Sequence, residues 1–303
     1  MLQKFNPKNQ NILVHVSGEL VPRTEAKVSV FDSVVQGGDA VWEGLRVYNG
    51  KIFCLDEHLE RMEDSAHALA FKGVPTRAEI KQAIFETLAA NDMRDGVHIR
   101  LTLTRGEKIT SGMDPRLNQV GCCLIVLAEW KPPVYETKGI RLITSAIRRN
   151  NPQFLDSKIH HNNLLNNILA KIEANVAGAD DALMLDIEGY VAETNATNFF
   201  MIKRGKLLTP KGDSCLPGIT RGLVLQLANE LGIPASETRI SLAAAYAADE
   251  AFVTGTMGEL TPVLEIDGRE IRNAVGSTLF RQLRAAFDER TRKLGTIIPG
   301  FDN

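Results

Sequence analysis

The chain has 303 residues, 44% hydrophobic and 24% charged, with a formal charge of -2, as in a globular protein with a substantial core and room for two domains. With no basic run or stripe it is no nucleic-acid scavenger or polybasic membrane binder. No stretch is dry enough to span a bilayer, and the opening MLQKFNPKNQ has no apolar leader region. The four cysteines (Cys54, Cys122, Cys123, Cys215) show no C-x-x-C spacing and the six histidines no H-E-x-x-H, so reduced thiols in a cytoplasmic, metal-free protein are expected.

The first half reads as strands followed by helices. NILVHVSGELVP (11–22) is strand-like with a Ser-Gly turn inside it. DEHLERMEDSAHALAF (56–71) reads as a helix with Asp56 as N-cap and Leu59, Met62, Ala66 and Leu69 on one stripe. Thr76 and Glu79 have capping-box spacing at the head of a helix through Ile80, Ile84 and Leu88. VHIRLTLTRG (97–106) alternates strictly, and VGCCLIVLAEW (120–130) reads as a fully buried strand. Pro132-Pro133 suits neither a helix nor a central strand. That places an N-terminal α/β domain over 1–130, a linker over 131–136 and a C-terminal domain over 137–303.

The second half opens with a strand at GIRLITSAI (139–147) and a loop into LDSKIHHNNLLNNILAKIEAN (155–175). The amphipathic helix there runs through Leu164, Leu165, Ile168, Leu169, Ile172 and Val176 and ends at Gly178. Lys158 then stands at the helix entrance, where the positive end of the dipole would lower its proton affinity. Hairpin turns are expected at Glu188-Gly189 and Arg204-Gly205. LPGITRGLVLQLANELGIP (216–234) reads as a loop feeding a helix, and DEAFVTGTMGELTPVLEIDG (249–268) as strand, loop, strand. A last helix holds Leu279, Phe280, Leu283 and Phe287. No internal repeat or low-complexity tract interrupts this two-domain α+β pattern.

Four segments can carry chemistry. Lys158 is an amine among histidines and asparagines, and VAETNATNFF (191–200) sets Glu193 among short hydrogen-bonding side chains. In LPGITR (216–221), Gly218, Ile219 and Thr220 open a helix whose free backbone N–H groups suit an anion. TGTMGE (254–259) suits close backbone approach between two strands. Each alone also arises for structural reasons. Jointly they supply what pyridoxal phosphate requires: an amine for a Schiff base, a carboxylate for the ring nitrogen, and donors for a dianionic phosphate.

The order and spacing of Lys158, AETNATNFF, LPGITR and GTMGELTP resemble the class IV (fold type IV, D-amino-acid aminotransferase-like) pyridoxal-phosphate enzymes. That family includes branched-chain amino-acid aminotransferases, D-amino-acid aminotransferases, (R)-selective amine transaminases and aminodeoxychorismate lyases. VWEGLRVYNGKIFCLDEHLERMEDSA (41–66) is similar to the FEG-R…HL-R…SA region of the branched-chain enzymes, so the likeness covers nearly the whole chain. It implies Lys158 as Schiff-base lysine and proton carrier, and Glu193 as partner of the pyridinium nitrogen. It further implies Arg61 as a bidentate phosphate ligand, with Ile219, Thr220 and Thr256 completing the phosphate cup. Where many branched-chain enzymes have a tyrosine five residues after the lysine, this chain has Asn163, whose amide can donate to the cofactor but cannot titrate. His160 and His161 read as loop residues satisfying local hydrogen bonds.

The resemblance implies a ping-pong transaminase acting on an amino donor and a 2-oxo acid acceptor, with branched-chain or other hydrophobic amino acids as donors. GTMGE is closer to the GTA-E turn of the L-branched-chain enzymes, and Trp42 would narrow an apolar side-chain pocket. Candidate substrate contacts are Trp42, Arg46, Arg100, Arg116 and Met257, with Arg105 also in reach of the same loop. Asn163 and the arginine-bearing loop keep D-amino-acid or (R)-amine specificity open, and an aminodeoxychorismate lyase would use the same lysine. A homodimer whose active sites are completed by the partner chain is also implied.

Overall fold

The computed structural model describes residues 3–135, 138–272 and 278–300. The chain forms two compact units. The N-terminal unit gathers the described residues within Leu2–Pro132, Ile159–Asn163 and Thr291–Asn303, and the C-terminal unit those within Pro133–Lys158 and Leu164–Arg290. Of the linker expected at 131–136, Glu136 lies outside the described residues.

The N-terminal unit contains β1 (Leu13–Val16), β2 (Glu19–Pro22), α1 (Ser33–Gly37), β3 (Ala40–Tyr48), β4 (Lys51–Ile52), α2 (Leu55–Ala68), α3 (Arg77–Ala90), β5 (Val97–Thr104) and β6 (Cys123–Trp130). With a short strand at Thr296–Ile297 they form a seven-stranded antiparallel sheet, ordered from that strand through β4, β3, β5, β6 and β1 to β2. Period-two alternation fits β5 for the middle: Val97, Ile99, Leu101 and Leu103 are fully buried in one core with Leu59 and Met62 of α2 and Ile80, Ile84 and Leu88 of α3. The capping box at Thr76 forms as the spacing predicts.

Two expectations are corrected here. Helix α2 starts two residues early, with Cys54 at φ 51° as its N-cap, so Asp56 sits inside the first turn, where its charge still favours the dipole. Strand β6 is not buried on both faces. Ile125 and Leu127 are only half-buried because helices cover one side of the sheet.

The C-terminal unit contains β7 (Ile140–Thr144), α4 (Leu165–Val176), β8 (Asp181–Leu185), β9 (Val191–Thr194), β10 (Asn198–Lys203), β11 (Lys206–Pro210), α5 (Ile219–Glu230), β12 (Ala235–Thr238), α6 (Leu242–Tyr246), β13 (Glu250–Gly255), β14 (Glu259–Ile266), β15 (Arg269–Glu270) and, as far as Arg290, α7 (Leu279–Lys293). The sheet order is β12-β11-β10-β13-β14-β7-β8-β9, with β15 beside β14. Pairing is mixed: β11–β12, β14–β7 and β7–β8 are parallel and the rest antiparallel. The turns at Glu188-Gly189 and Arg204-Gly205 fall where the sequence predicts.

Helix α4 forms where the sequence predicts and stops before Gly178, but its apolar stripe is not its buried face. Its buried residues are the small Ala170 and Ala174, which pack with Ala182 and Met184, while Leu165, Ile168, Leu169, Ile172 and Val176 are exposed. The wide apolar stripe faces away from its own unit. Among the described residues no helix is long and apolar enough to cross a membrane, and no group of three or more His, Cys, Asp or Glu could hold a metal ion.

Candidate active site

Glu193 projects from β9 into the interior of the C-terminal unit and is only 5% exposed. A carboxylate so far from water needs partners, and it has three. Arg149 Nε donates to Oε1 at 2.6 Å, the Leu216 backbone N–H to the same oxygen at 3.2 Å, and Asn198 Nδ2 to Oε2 at 3.1 Å. Burial pushes the carboxyl of Glu193 up, and the Arg149 guanidinium pulls it back down. The Asn198 amide also donates to the Leu216 carbonyl at 2.9 Å, which ties β10 to the loop before α5.

That loop delivers Gly218, Ile219 and Thr220. Gly218 is the N-cap of α5 and no side chain caps it, so the first amides of the helix are presented without a local acceptor side chain. Only glycine fits there, since a Cβ at 218 would stand 2.0 Å from Asn198 Oδ1. Beside Asn198, the register pairs it with Thr254 on β13, and the turn at 256–258 follows, carrying Thr256 and Met257. Tyr135 and Thr197 hold this turn. A Cβ at Gly258 would lie 2.8 Å from the Tyr135 ring, and the Val134 N–H donates to the Met257 carbonyl at 2.8 Å. Tyr135 in turn donates its phenol to the buried Asp181. The unit thus brings Glu193, the start of α5 and the 256–258 turn to neighbouring strand ends.

Lys158 is exposed on a tight turn, six residues ahead of Leu164, the N-cap of α4. The helix-dipole expectation is therefore corrected, because that field fades within the first turn. The turn is built locally: the Lys158 N–H donates to Asp156 Oδ1 at 2.9 Å, and the buried Ser157 hydroxyl donates to the Asn150 carbonyl at 2.9 Å. Asn150 follows Arg149, so one loop carries both the lysine and the arginine that holds Glu193.

The remaining sequence candidates lie in the N-terminal unit or on its loops. Arg61 on α2 is bound bidentately to Glu43, through Nε at 2.8 Å and Nη2 at 2.6 Å. Glu43 lies on the core face of β3 and is 0% exposed. It also meets His58 Nδ1 at 2.7 Å and His160 Nδ1 at 3.2 Å. Burial opposes its charge, but His160, Arg61 and His58 together hold the carboxyl well below the usual range. On the opposite face, Trp42 donates to the His161 carbonyl at 3.2 Å and carries the Arg100 guanidinium 3.4 Å above its ring. Arg100 also donates to Asn162 at 3.2 Å. Arg46 donates to the Lys131 carbonyl at 2.5 Å, and Arg105 is spent on Asp39 and the carbonyls of Leu69 and Ala70. Arg116 is exposed and clamped to Asp114. Asn163 is exposed and donates its amide to the Gly38 carbonyl at 3.0 Å.

Sequence reading missed Arg149, Asn198 and Glu43. Glu43 had a visible signal, a carboxylate in register with Val41, Leu45 and Val47 on an apolar face. Arg149 had none, because its partner lies 44 residues away. The C-terminal cluster fits pyridoxal phosphate by its own chemistry. It has a buried acid for a ring nitrogen, amides at a helix start without a capping side chain, and threonine hydroxyls for a phosphate. It also has an orphaned donor: Arg149 Nη1 is buried and has no partner among the described residues.

Residues 40–266 match the family model "Amino-transferase class IV". A branched-chain-amino-acid aminotransferase-like protein 2 of Arabidopsis thaliana is 60% identical over 97% of this chain. The alignment takes in 53% of that relative, so the chain spans about half the length of the first curated relatives it matches. A putative branched-chain-amino-acid aminotransferase of Methanocaldococcus jannaschii is 41% identical over 93% of this chain and 97% of its own length. Among solved structures, the branched-chain amino acid aminotransferase from Thermobaculum terrenum in its PLP form superposes with a TM-score of 0.84 at 30% identity, covering 94% of this chain and 95% of that one.

Proposed function

The chain belongs to the class IV aminotransferase family, and from that premise we propose that it is a transaminase. It moves an amino group between a branched-chain or other hydrophobic amino acid and a 2-oxo acid in a ping-pong sequence. Pyridoxal 5'-phosphate, the cofactor of this family, supplies an aldehyde for covalent attachment and a ring that takes up charge from the substrate's α-carbon. The observation that carries the reading is the convergence of Glu193, the uncapped start of α5 and the 256–258 turn in one unit.

Lys158 holds the cofactor, and its Nζ then carries a proton to and from the α-carbon as base and acid. Glu193 keeps a proton on the ring nitrogen. The amides of Ile219 and Thr220 and the hydroxyls of Thr220 and Thr256 bind the phosphate. The Met257 amide serves the substrate carboxylate. Arg61 as phosphate ligand, Asn163 as cofactor contact, and Trp42 and Arg100 as substrate contacts carry over from the family resemblance. Arg46, bound to a carbonyl, and Arg116, clamped to Asp114, have less to offer than Arg100.

Borohydride reduction of the reconstituted protein and peptide mapping should place a pyridoxyl adduct on Lys158. An adduct elsewhere, or none, sinks the proposal. L-leucine and L-valine should each convert the cofactor to its amine form. Conversion by D-alanine or (R)-1-phenylethylamine alone would favour the D-amino-acid or (R)-amine reading, and pyruvate release from aminodeoxychorismate without an acceptor the lyase. The exposed apolar face of α4 supports a homodimer, and the four free cysteines suit the cytoplasm. A light-scattering mass of one chain would contradict the dimer.

A further inference from the structure

We propose that Arg149 is a positioning residue of the C-terminal unit: its guanidinium, buried against the Glu193 carboxylate, holds that acid in place and balances its charge. This rests on the transaminase reading above. The geometry is direct. Arg149 is 6% exposed and Glu193 5%, and their 2.6 Å contact is made through Nε, off the fork's symmetric edge. Arg149 is itself pinned, because its backbone N–H donates to the Leu185 carbonyl at 2.8 Å. The next residue, Asn150, receives the Ser157 hydroxyl, and Lys158 follows Ser157.

The chemistry requires such a residue. A carboxylate serves the ring nitrogen only while it is charged, and a buried carboxyl drifts toward its neutral form. Among the charged groups that favour the ionised form of Glu193 are Arg149 and Arg221. Arg149 stands first among those that favour the charge, while Arg221 is itself paired with Glu237 at 2.6 Å and donates to the Pro210 carbonyl. Arg149 Nη1, buried and without a partner among the described residues, is a second donor within the same side chain.

The test uses full-length wild type, Arg149→Met and Arg149→Lys. In cofactor-free protein, the titration of Glu193 is read as the carboxylate infrared band absent from Glu193→Gln. Arg149→Met should raise the proton affinity of Glu193 at least about threefold, and Arg149→Lys, which keeps the charge, should stay within about threefold of wild type. A smaller rise in Arg149→Met, or a shift in Arg149→Lys equal to that in Arg149→Met, overturns the proposal. If Arg149→Met does not fold, Arg149→Lys decides alone: a midpoint within threefold supports a charge role, and a larger rise overturns it. Borohydride trapping on Lys158 runs in parallel. Its failure in wild type would sink the transaminase reading, while the carboxyl titration would still judge the Arg149–Glu193 pair.

Discussion

Asn198 spends its amide twice, on Glu193 and on the Leu216 carbonyl, and its Oδ1 leaves no room for a side chain at position 218. Gly218→Ala should therefore displace Asn198 and misplace both the acid and the start of α5. Cofactor affinity should fall about tenfold or more, the equivalent of one lost hydrogen bond to a charged group, as measured by fluorescence titration with pyridoxal phosphate. An unchanged affinity would show that Asn198 is dispensable. The sequence made the residue types at this site legible because lysine, glutamate, the Gly-Ile-Thr stretch and the small turn each have a local reason to be where they are. It left Arg149 illegible because a guanidinium has no local pattern when its partner comes from a distant strand. It also misread the setting of Lys158, since an Asx turn and a serine latch, not the helix, present that amine.

Hydrophobic period 3.6 correctly announced α4 but not the direction of its faces. Alanine carries little hydrophobic signal, yet Ala170 and Ala174 are the residues that let this helix lie close on β8, leaving the larger side chains outward. A single chain gains little from exposing Leu165, Ile168, Leu169, Ile172 and Val176, and a second copy that covered them would recover about 1.5–3 kcal/mol for each side chain fully buried. Leu169→Asp combined with Ile172→Asp should halve the light-scattering mass while leaving the helix content intact. A wild-type mass already equal to one chain would refute this use of the stripe. At the head of α3, Thr76→Ala should cost about 1 kcal/mol in urea unfolding through loss of the capping box. Turn residues and caps were legible because their chemistry is local. The half-exposure of β6 was not, because it depends on which side of the sheet the helices choose.

For the molecule as a whole, acid should be the weak side. Burial, with Lys131, Arg46 and Arg100 nearby, pulls His98 down to about 3, and burial pulls His160 to about 4 against the pull of Glu43. Both imidazoles are neutral in the fold, whereas unfolded histidines take up protons near pH 6.5. Their share of stability is thus present above about 6.5 and is lost as pH falls toward those folded values, at up to about 1.4 kcal/mol per pH unit for each. Glu43, held low, contributes stability above the ordinary carboxylate value and loses it in the same downward direction. Unfolding midpoints should be flat between about pH 6.5 and 8 and fall below that range, and His98→Gln should shallow that fall. An unaltered slope would contradict the assignment. The chain's own path adds one more consequence. It passes from the C-terminal unit to the N-terminal unit at the bond after Lys158, an exposed residue on a turn. Trypsin cuts after lysines whose amine is free, so this bond should be nicked in apoprotein and spared once the cofactor occupies that nitrogen, and digestion would then report occupancy on a gel.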